Sequence, residues 1–224
     1  LEKTHVGDKA CEPLLLTLYN RYLEDRDSAG LILRTAETYS IGTLQRLASH
    51  QRREVRRAAI VAMCLIGGYE CNATVGRAMT DEDRAVRILA ENGIRWLWRR
   101  DGSPRQQREL TVIIRLNTSR ATTEAHERAD RLVESAPRIA EAWNQRAIAL
   151  FNLKRFTAAI GDCRQSLERN PYHFAASVGM GQCHIEMGQD RLALESFQRA
   201  LRLNRNLEGV RACVRYLQRT LEDR

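Results

Sequence analysis

The sequence predicts an all-α protein, an α-solenoid in which helix pairs stack one on the next and a single helix caps the end. Three observations predict it. In the C-terminal half, the pattern Trp143, Ala147, Leu150, Phe156, Ala159, Cys163, Ser166, Leu167, Pro171 returns 34 residues later as Ser177, Gly181, His184, Asp190, Ala193, Phe197, Ala200, Leu201, Arg205. In the N-terminal half, Val55-Arg56 followed by Ala58-Ala59 returns 31 residues later as Val86-Arg87 followed by Leu89-Ala90. Nearly every other periodic stretch carries apolar residues at helical spacing. A repeat of this kind cannot bury its apolar stripe alone, so it stacks on its neighbour.

Composition bounds the class. The chain has 224 residues, 43% apolar and 29% charged, which is the balance of a folded protein with a real core. Its longest apolar run, Ala58 to Ile66, falls far short of the roughly 20 residues that cross a bilayer. No signal-peptide pattern is visible, and the opening at Leu1 leaves room for a preceding segment. The net charge of +8 comes almost wholly from arginine, with Lys3, Lys9 and Lys154 the only lysines. It forms no basic tail, so an anionic partner is permitted but not required. Six cysteines, Cys11, Cys64, Cys71, Cys163, Cys183 and Cys213, form no CxxC pair and sit in apolar helical patterns. That fits reduced thiols in a cytoplasmic compartment.

Pro13 can open the first helix, with Leu14, Leu15, Leu18, Tyr19, Tyr22 and Leu23 on one stripe. A second helix is expected over Asp27 to Ser40, and residues 1–40 together form an N-terminal helical segment. Two helix pairs follow within 41–101: Thr43–Ser49 with Arg52–Ile66, stopped by Gly67-Gly68, and Asn72–Met79 with Glu82–Arg100. Thr80 with Asp83 three residues on reads as a capping box for the last of these. Asp101-Gly102-Ser103-Pro104 is the clearest break in the chain. Residues 102–139 then hold a junction and a helix pair, Glu109–Leu116 and Thr122–Ser135, read as a degenerate copy of the 34-residue unit. Two full units occupy 140–207. A capping helix over 208–224 carries Val210, Val214, Leu217 and Leu221, in register with Leu207.

The 34-residue units resemble tetratricopeptide repeats. Trp143 stands at the tryptophan slot, Ala147 and Gly181 at the small slot of the first helix, and Ala159 and Ala193 at that of the second. Cys163 and Phe197 take the aromatic slot, Ser166 and Ala200 the later small slot, and Pro171 closes the unit. The second copy departs at Ser177, Asp190 and Arg205. The Val-Arg-x-x-Ala core of residues 41–101 resembles HEAT repeats, the short bacterial kind in particular. The tetratricopeptide resemblance implies that Trp143 is mostly buried. It also implies a concave groove lined by the first helix of each unit, through Asn144, Gln145, Ile148, Phe151 and Asn152, then Val178, Gly179, Gln182, Ile185 and Glu186. That lining is neutral and mixed, and fits an extended peptide or an amphipathic helix. Asn144, Asn152 and Gln182 fill no packing slot, so replacing them together is expected to spare the fold.

No chemistry announces itself. There is no GxSxG, HExxH or phosphate-cradling loop, and Gly179-Met180-Gly181 lies inside a repeat helix. Cys163, His173, Cys183 and His184 could be read as a zinc set, but repeat slots spread along a stack whereas zinc ligands must converge. No metal and no cofactor are expected. At least one of Trp96 and Trp98 is expected to seal the joint between the two repeat arrays. Arg52, Arg53, Arg56 and Arg57 oppose the dipole at a helix start, which makes them a candidate anion site. Against that, the HEAT resemblance implies that Arg56 and Arg87 tie neighbouring repeats together.

The leading expectation is a non-enzymatic scaffold or adaptor that binds a protein or peptide partner. Two other classes stay open. One is a nucleic-acid binder using the arginine cluster, and the other a chromophore-lyase-like enzyme, which the HEAT resemblance alone brings in.

Overall fold

A computed structural model describes residues 13–223, and within them the chain is helical throughout, with thirteen α-helices, one 3-10 turn and no strand. Pro13 precedes α1 (Leu14–Asp25), and Asp27 caps α2 (Ser28–Thr38) by accepting from the Gly30 N–H at 2.9 Å. Leu15, Leu16 and Tyr19 of α1 enter the N-terminal core. The rest of that core comes from two helix pairs: α3 (Ile41–Leu47) with α4 (Arg53–Ile66), and α5 (Asn72–Ala78) with α6 (Arg84–Arg99).

Two arginines set the register of these pairs. Arg56 Nη1 donates to the carbonyls of His50 and Gln51, both at 3.0 Å, and Arg87 Nη1 donates to those of Asp81 and Glu82 at 2.7 and 2.9 Å. The bond is the same in both units, so the 31-residue echo is a repeated turn lock. Arg56 also forks onto Asp81 with both contacts at 2.9 Å, and Arg57 onto Asp83 at 2.9 and 2.6 Å. The Arg57 guanidinium, helped by the Val86 N–H, pulls the Asp83 carboxyl down to about 2 against the opposing effect of burial. This corrects the expected capping box. The cap of α6 is Asp83, which accepts from the Val86 N–H at 2.9 Å, while Thr80 bonds back to the Arg77 carbonyl. The arginines of α4 hold the Asp81–Asp83 turn outside the helix.

The C-terminal half stacks α7 (Pro104–Thr118), α8 (Thr122–Ser135), α9 (Ala140–Asn152), α10 (Phe156–Arg169), α11 (Phe174–Glu186), α12 (Asp190–Leu203) and α13 (Glu208–Glu222). Helix α7 starts five residues before the expected Glu109, because Ser103 and Gln106 form a capping box and Pro104 fits its first turn. The turn within each pair has one geometry. Arg120, Lys154 and Gly188 are left-handed at φ 59°, 59° and 68°. The residue after each donates back to the previous helix: Ala121 to Leu116, Arg155 to Leu150 and Gln189 to His184, at 3.0, 2.9 and 2.8 Å. The α7–α8 pair thus turns as the other two do, although its side chains follow the 34-residue pattern poorly.

Trp143 is mostly but not fully buried: it packs against the core of Leu110, Ile113 and Leu132, its Nε1 donates to the Pro137 carbonyl at 2.9 Å, and the guanidiniums of Arg146 and Arg169 lie over its ring at 4.8 and 4.7 Å. Its cation–π contacts tie α9 to α10 at the rim of that core.

The two halves do not simply follow one another along an axis. Helix α6 runs along the loop edge of the C-terminal stack. Arg87 and Glu91 meet Asn206 at 3.2 and 3.0 Å, and Arg95 lies over the Phe174 ring at 5.0 Å. Trp98 stacks on His173 with centroids 4.0 Å apart and planes 15° apart. These residues recur on one face of α6 at helical spacing. Asn72 links the layers: its Nδ2 donates to Asn170 at 2.9 Å and its Oδ1 accepts from Trp98 Nε1 at 2.8 Å. Gly76 lets α5 approach, since a Cβ there would sit 2.4 Å from the Tyr172 ring. Trp98 does seal the joint, whereas Trp96 is 57% exposed.

Two outcomes test this packing. Trp98→Ala should lower unfolding stability in urea by about 3–5 kcal/mol, as for a buried aromatic, while Trp143→Ala should lower it by only about 1–2 kcal/mol. Equal losses would contradict the burial described. Lys154→Gly relieves a left-handed Cβ and should raise stability by up to about 1 kcal/mol, read as a higher urea midpoint.

Candidate functional site: the concave groove

Helices α9, α11 and α13 are the first helices of successive units and share the concave side. Between α9 and α11 lies a cavity of about 470 Å³, and α6 closes one flank of it with Arg95, Trp98 and Arg99. Its floor is apolar, from Ala147, Ile148, Phe151, Cys163, Val178 and Cys183. Phe151 and Gln182 are shared with a second hollow of about 590 Å³, which opens between α11 and α13 and is lined by Ile185, Glu186, Phe197, Cys213, Tyr216 and their neighbours.

The residues expected at the groove divide in two. Asn144, Gln145, Ile148, Phe151, Asn152, Val178, Gly179 and Gln182 line the first cavity, and Ile185 and Glu186 the second. Ile148, Asn152, Gln182, Ile185 and Glu186 are exposed there. Asn144 and Gln145 are instead buried and engaged within the protein. Gln145 Nε2 donates to Glu141 at 2.6 Å, its carbonyl and amide oxygens both accept from Asn117 at 2.9 Å, and Asn144 stands 3.5 Å from Glu141. The expectation that Asn144 could be replaced freely therefore fails. It helps satisfy a carboxylate that is 8% exposed.

That carboxylate is the electrostatic centre of the site. Burial raises the Glu141 carboxyl, but hydrogen bonds from His173 and Gln145 and the His173 and Arg95 charges outweigh it, holding the group below its usual value. His173 Nδ1 accepts from the Ala176 N–H at 3.2 Å and so caps α11. The proton must then sit on Nε2, which faces Glu141 at 2.7 Å. One histidine thus caps a helix, donates a hydrogen bond to a carboxylate and offers its face to Trp98.

The sequence reading missed Arg95 and Arg99, which give the groove a basic wall in place of the neutral lining expected. Their four-residue spacing around Trp98 was visible, but the surface they face is decided by how α6 docks. Of the four arginines considered as an anion site, Arg56 and Arg57 have their forks on Asp81, Glu82 and Asp83, and Arg53 pairs with the adjacent Glu54 at 3.0 Å. Cys163 and Cys183 lie in the groove floor. Burial pushes the Cys163 thiol well up and Cys183 to about 11, so both stay protonated at neutral pH. Cys64 and Cys71 are likewise raised by burial, to about 12 and 11, while Cys11 lies outside the described residues. His184 Nδ1 meets Gln189 at 2.7 Å. Among the described residues, no three metal-ligating side chains converge, and no helix is long and apolar enough to cross a membrane.

Residues 140–173 and 175–207 match models of the tetratricopeptide repeat, so the C-terminal half carries these repeats. The human DnaJ homolog subfamily C member 7 is 33% identical over 81 residues, covering 36% of this chain and 16% of that protein. A TPR repeat-containing protein of Rhizobium etli is 28% identical over 121 residues, covering 54% of this chain and 58% of that one. The chain therefore spans less than two thirds of either relative. Among solved structures, the first TPR of Spaghetti bound to an HSP90 peptide superposes with a TM-score of 0.51 at 20% identity, over 54% of this chain and 96% of that one. The likeness is one of fold, an α-solenoid.

Glu141 yields a pH prediction. A carboxyl lowered on folding contributes stability that is fully present above its unfolded value, near 4.5, and is lost as pH falls through the folded value. Acid unfolding followed by Trp98 emission should therefore steepen below about pH 4.5, and Glu141→Gln should flatten that limb. An unchanged limb in the variant would show that the pair does not govern acid stability.

Proposed function

We propose that this protein is a non-enzymatic scaffold that holds a peptide segment of a partner protein in the groove of α9, α11 and α13. The observation that carries the reading is the pair of connected hollows on the concave side, with an apolar floor, exposed amides at Asn152 and Gln182, and a wall supplied by a second module. An apolar recess with a few polar anchors suits a short peptide, since side chains fill the recess and amides pair with the ligand backbone. The HSP90 peptide held by the Spaghetti TPR is an analogy that supports the reading at the level of fold. The helix pairs α3–α4 and α5–α6 are read as HEAT-like on the shared Arg56 and Arg87 turn lock. Their role is to brace the groove, and the engagement of Arg56 and Arg57 weighs against a nucleic-acid surface there.

A groove of this length makes a contact of standard size or smaller, so isolated peptides should bind at about micromolar Kd. Ile148 and Ile185 test it well, being 38% and 41% exposed on the groove. The variant Ile148→Asp/Ile185→Asp should keep its melting temperature, because surface substitutions cost within about 0.5 kcal/mol. It should lose partner capture, read by calorimetry with the peptide of the captured protein. A folded variant that binds at full affinity would place the working surface elsewhere.

A further inference from the structure

The groove has a polarity that its repeat helices do not supply. None of the residues that α9 and α11 contribute to the first cavity is cationic; both cations come from α6, as Arg95 and Arg99. Each guanidinium rests on an aromatic face, Arg95 on Phe174 at 5.0 Å and Arg99 on Trp96 at 5.1 Å. Neither forms an ion pair or hydrogen bond with a described residue. Stacking of this kind orients the planar group and leaves its N–H edge available, which is the geometry that takes a carboxylate in a two-pronged bond. The one carboxylate in the cavity, Glu141, feels the Arg95 charge but takes its hydrogen bonds from His173 and Gln145 at 2.7 and 2.6 Å, which leaves the Arg95 N–H edge open. The far hollow is mostly apolar, Glu186 is its one charged lining residue, and no cation lines it.

We infer that the groove selects a peptide of fixed polarity, with one or more acidic residues at the α6 end, against Arg95 and Arg99, followed by apolar side chains over Phe151, Ile185 and Tyr216. This rests on the reading of the groove as a peptide site and adds its ligand class and orientation. Charge complementarity sets the direction: a reversed peptide would bring its acidic end to Glu186 and leave the two guanidiniums without a partner, and like-charge juxtaposition disfavours that register. The specificity therefore lies in the N-terminal module, while the repeats supply the apolar floor.

The test is a selection from a random peptide library on the full chain, followed by fluorescence anisotropy of the selected peptides. The expected result is enrichment of Asp or Glu on one side of an apolar run, with affinity that falls as salt rises. Arg95→Ala/Arg99→Ala should weaken those peptides about tenfold or more, as loss of charge-assisted hydrogen bonds does, and remove most of the salt dependence. Arg95→Lys/Arg99→Lys should recover only part of the loss, because lysine restores charge without the fork. Two results would overturn the inference and leave the groove reading intact. One is a set of selected peptides that lose binding in Ile148→Asp/Ile185→Asp yet carry no acidic enrichment. The other is acidic peptides whose affinity is unmoved by the arginine variants. An empty selection, or peptides that ignore Ile148→Asp/Ile185→Asp, would overturn the groove reading itself.

Discussion

The docking of α6 on the loop edge of the repeat stack is the contact on which the other features depend. Trp98 sits 2% exposed between Asn72 on one side and His173 and Phe174 on the other. Phe174 belongs to α11, yet it is counted within the core of the N-terminal helices. The C-terminal half therefore completes the interior of the N-terminal one, while its own core clusters draw only on α7–α13. The same contact decides where Arg95 and Arg99 stand, because they lie on the strip of α6 that continues from Trp98.

The joint is polar as well as apolar, which makes it specific. Asn72, Asn170, His173, Glu141, Gln145 and Asn117 form a buried series in which most donors and acceptors meet a partner. Such a series is costly unless satisfied, so it admits one docking geometry and penalises a slipped one. Asn72 and Asn117 also head the two Asn-x-Ser/Thr triplets, and both are buried, so neither offers its amide to a sugar-transferring enzyme. Asn206 completes the arrangement. Arg56 Nε reaches Asp81 of the next unit, and Arg87 Nε reaches Asn206. The loop before α13 thus occupies the place that the turn of a third N-terminal unit would take, which lets a 31-residue repeat end against a 34-residue one.

How far the sequence could be read follows from the range of each interaction. The all-α class, the stop of α4 at Gly67 and the capping helix were legible, because apolar spacing and glycine act within a turn or two of themselves, whereas the start of α7 at Pro104 was placed five residues too late. The turn at Arg120 and Lys154 was not legible, since a non-glycine residue in the left-handed region carries no signal of its own. The partners of Trp143 were hidden for a related reason. Its slot in the pattern is local, but one of the guanidiniums over its ring is that of Arg169, which belongs to the next helix.

By itself the sequence determined that helical pairs with two different periods would stack. That follows from periodicity, which every residue reports about its own helix face; a groove along the later pairs was what the tetratricopeptide resemblance implied. Only the tertiary structure decided that Gln145 is buried against Asn117, that Arg56 and Arg57 are held by the Asp81–Asp83 turn, and that Arg95 and Arg99 wall the groove. Those outcomes depend on which surfaces meet across 25 to 98 residues of chain, as the Arg56–Asp81 and Asn72–Asn170 bonds show. A residue's neighbours at that separation leave no mark on the spacing of its own segment.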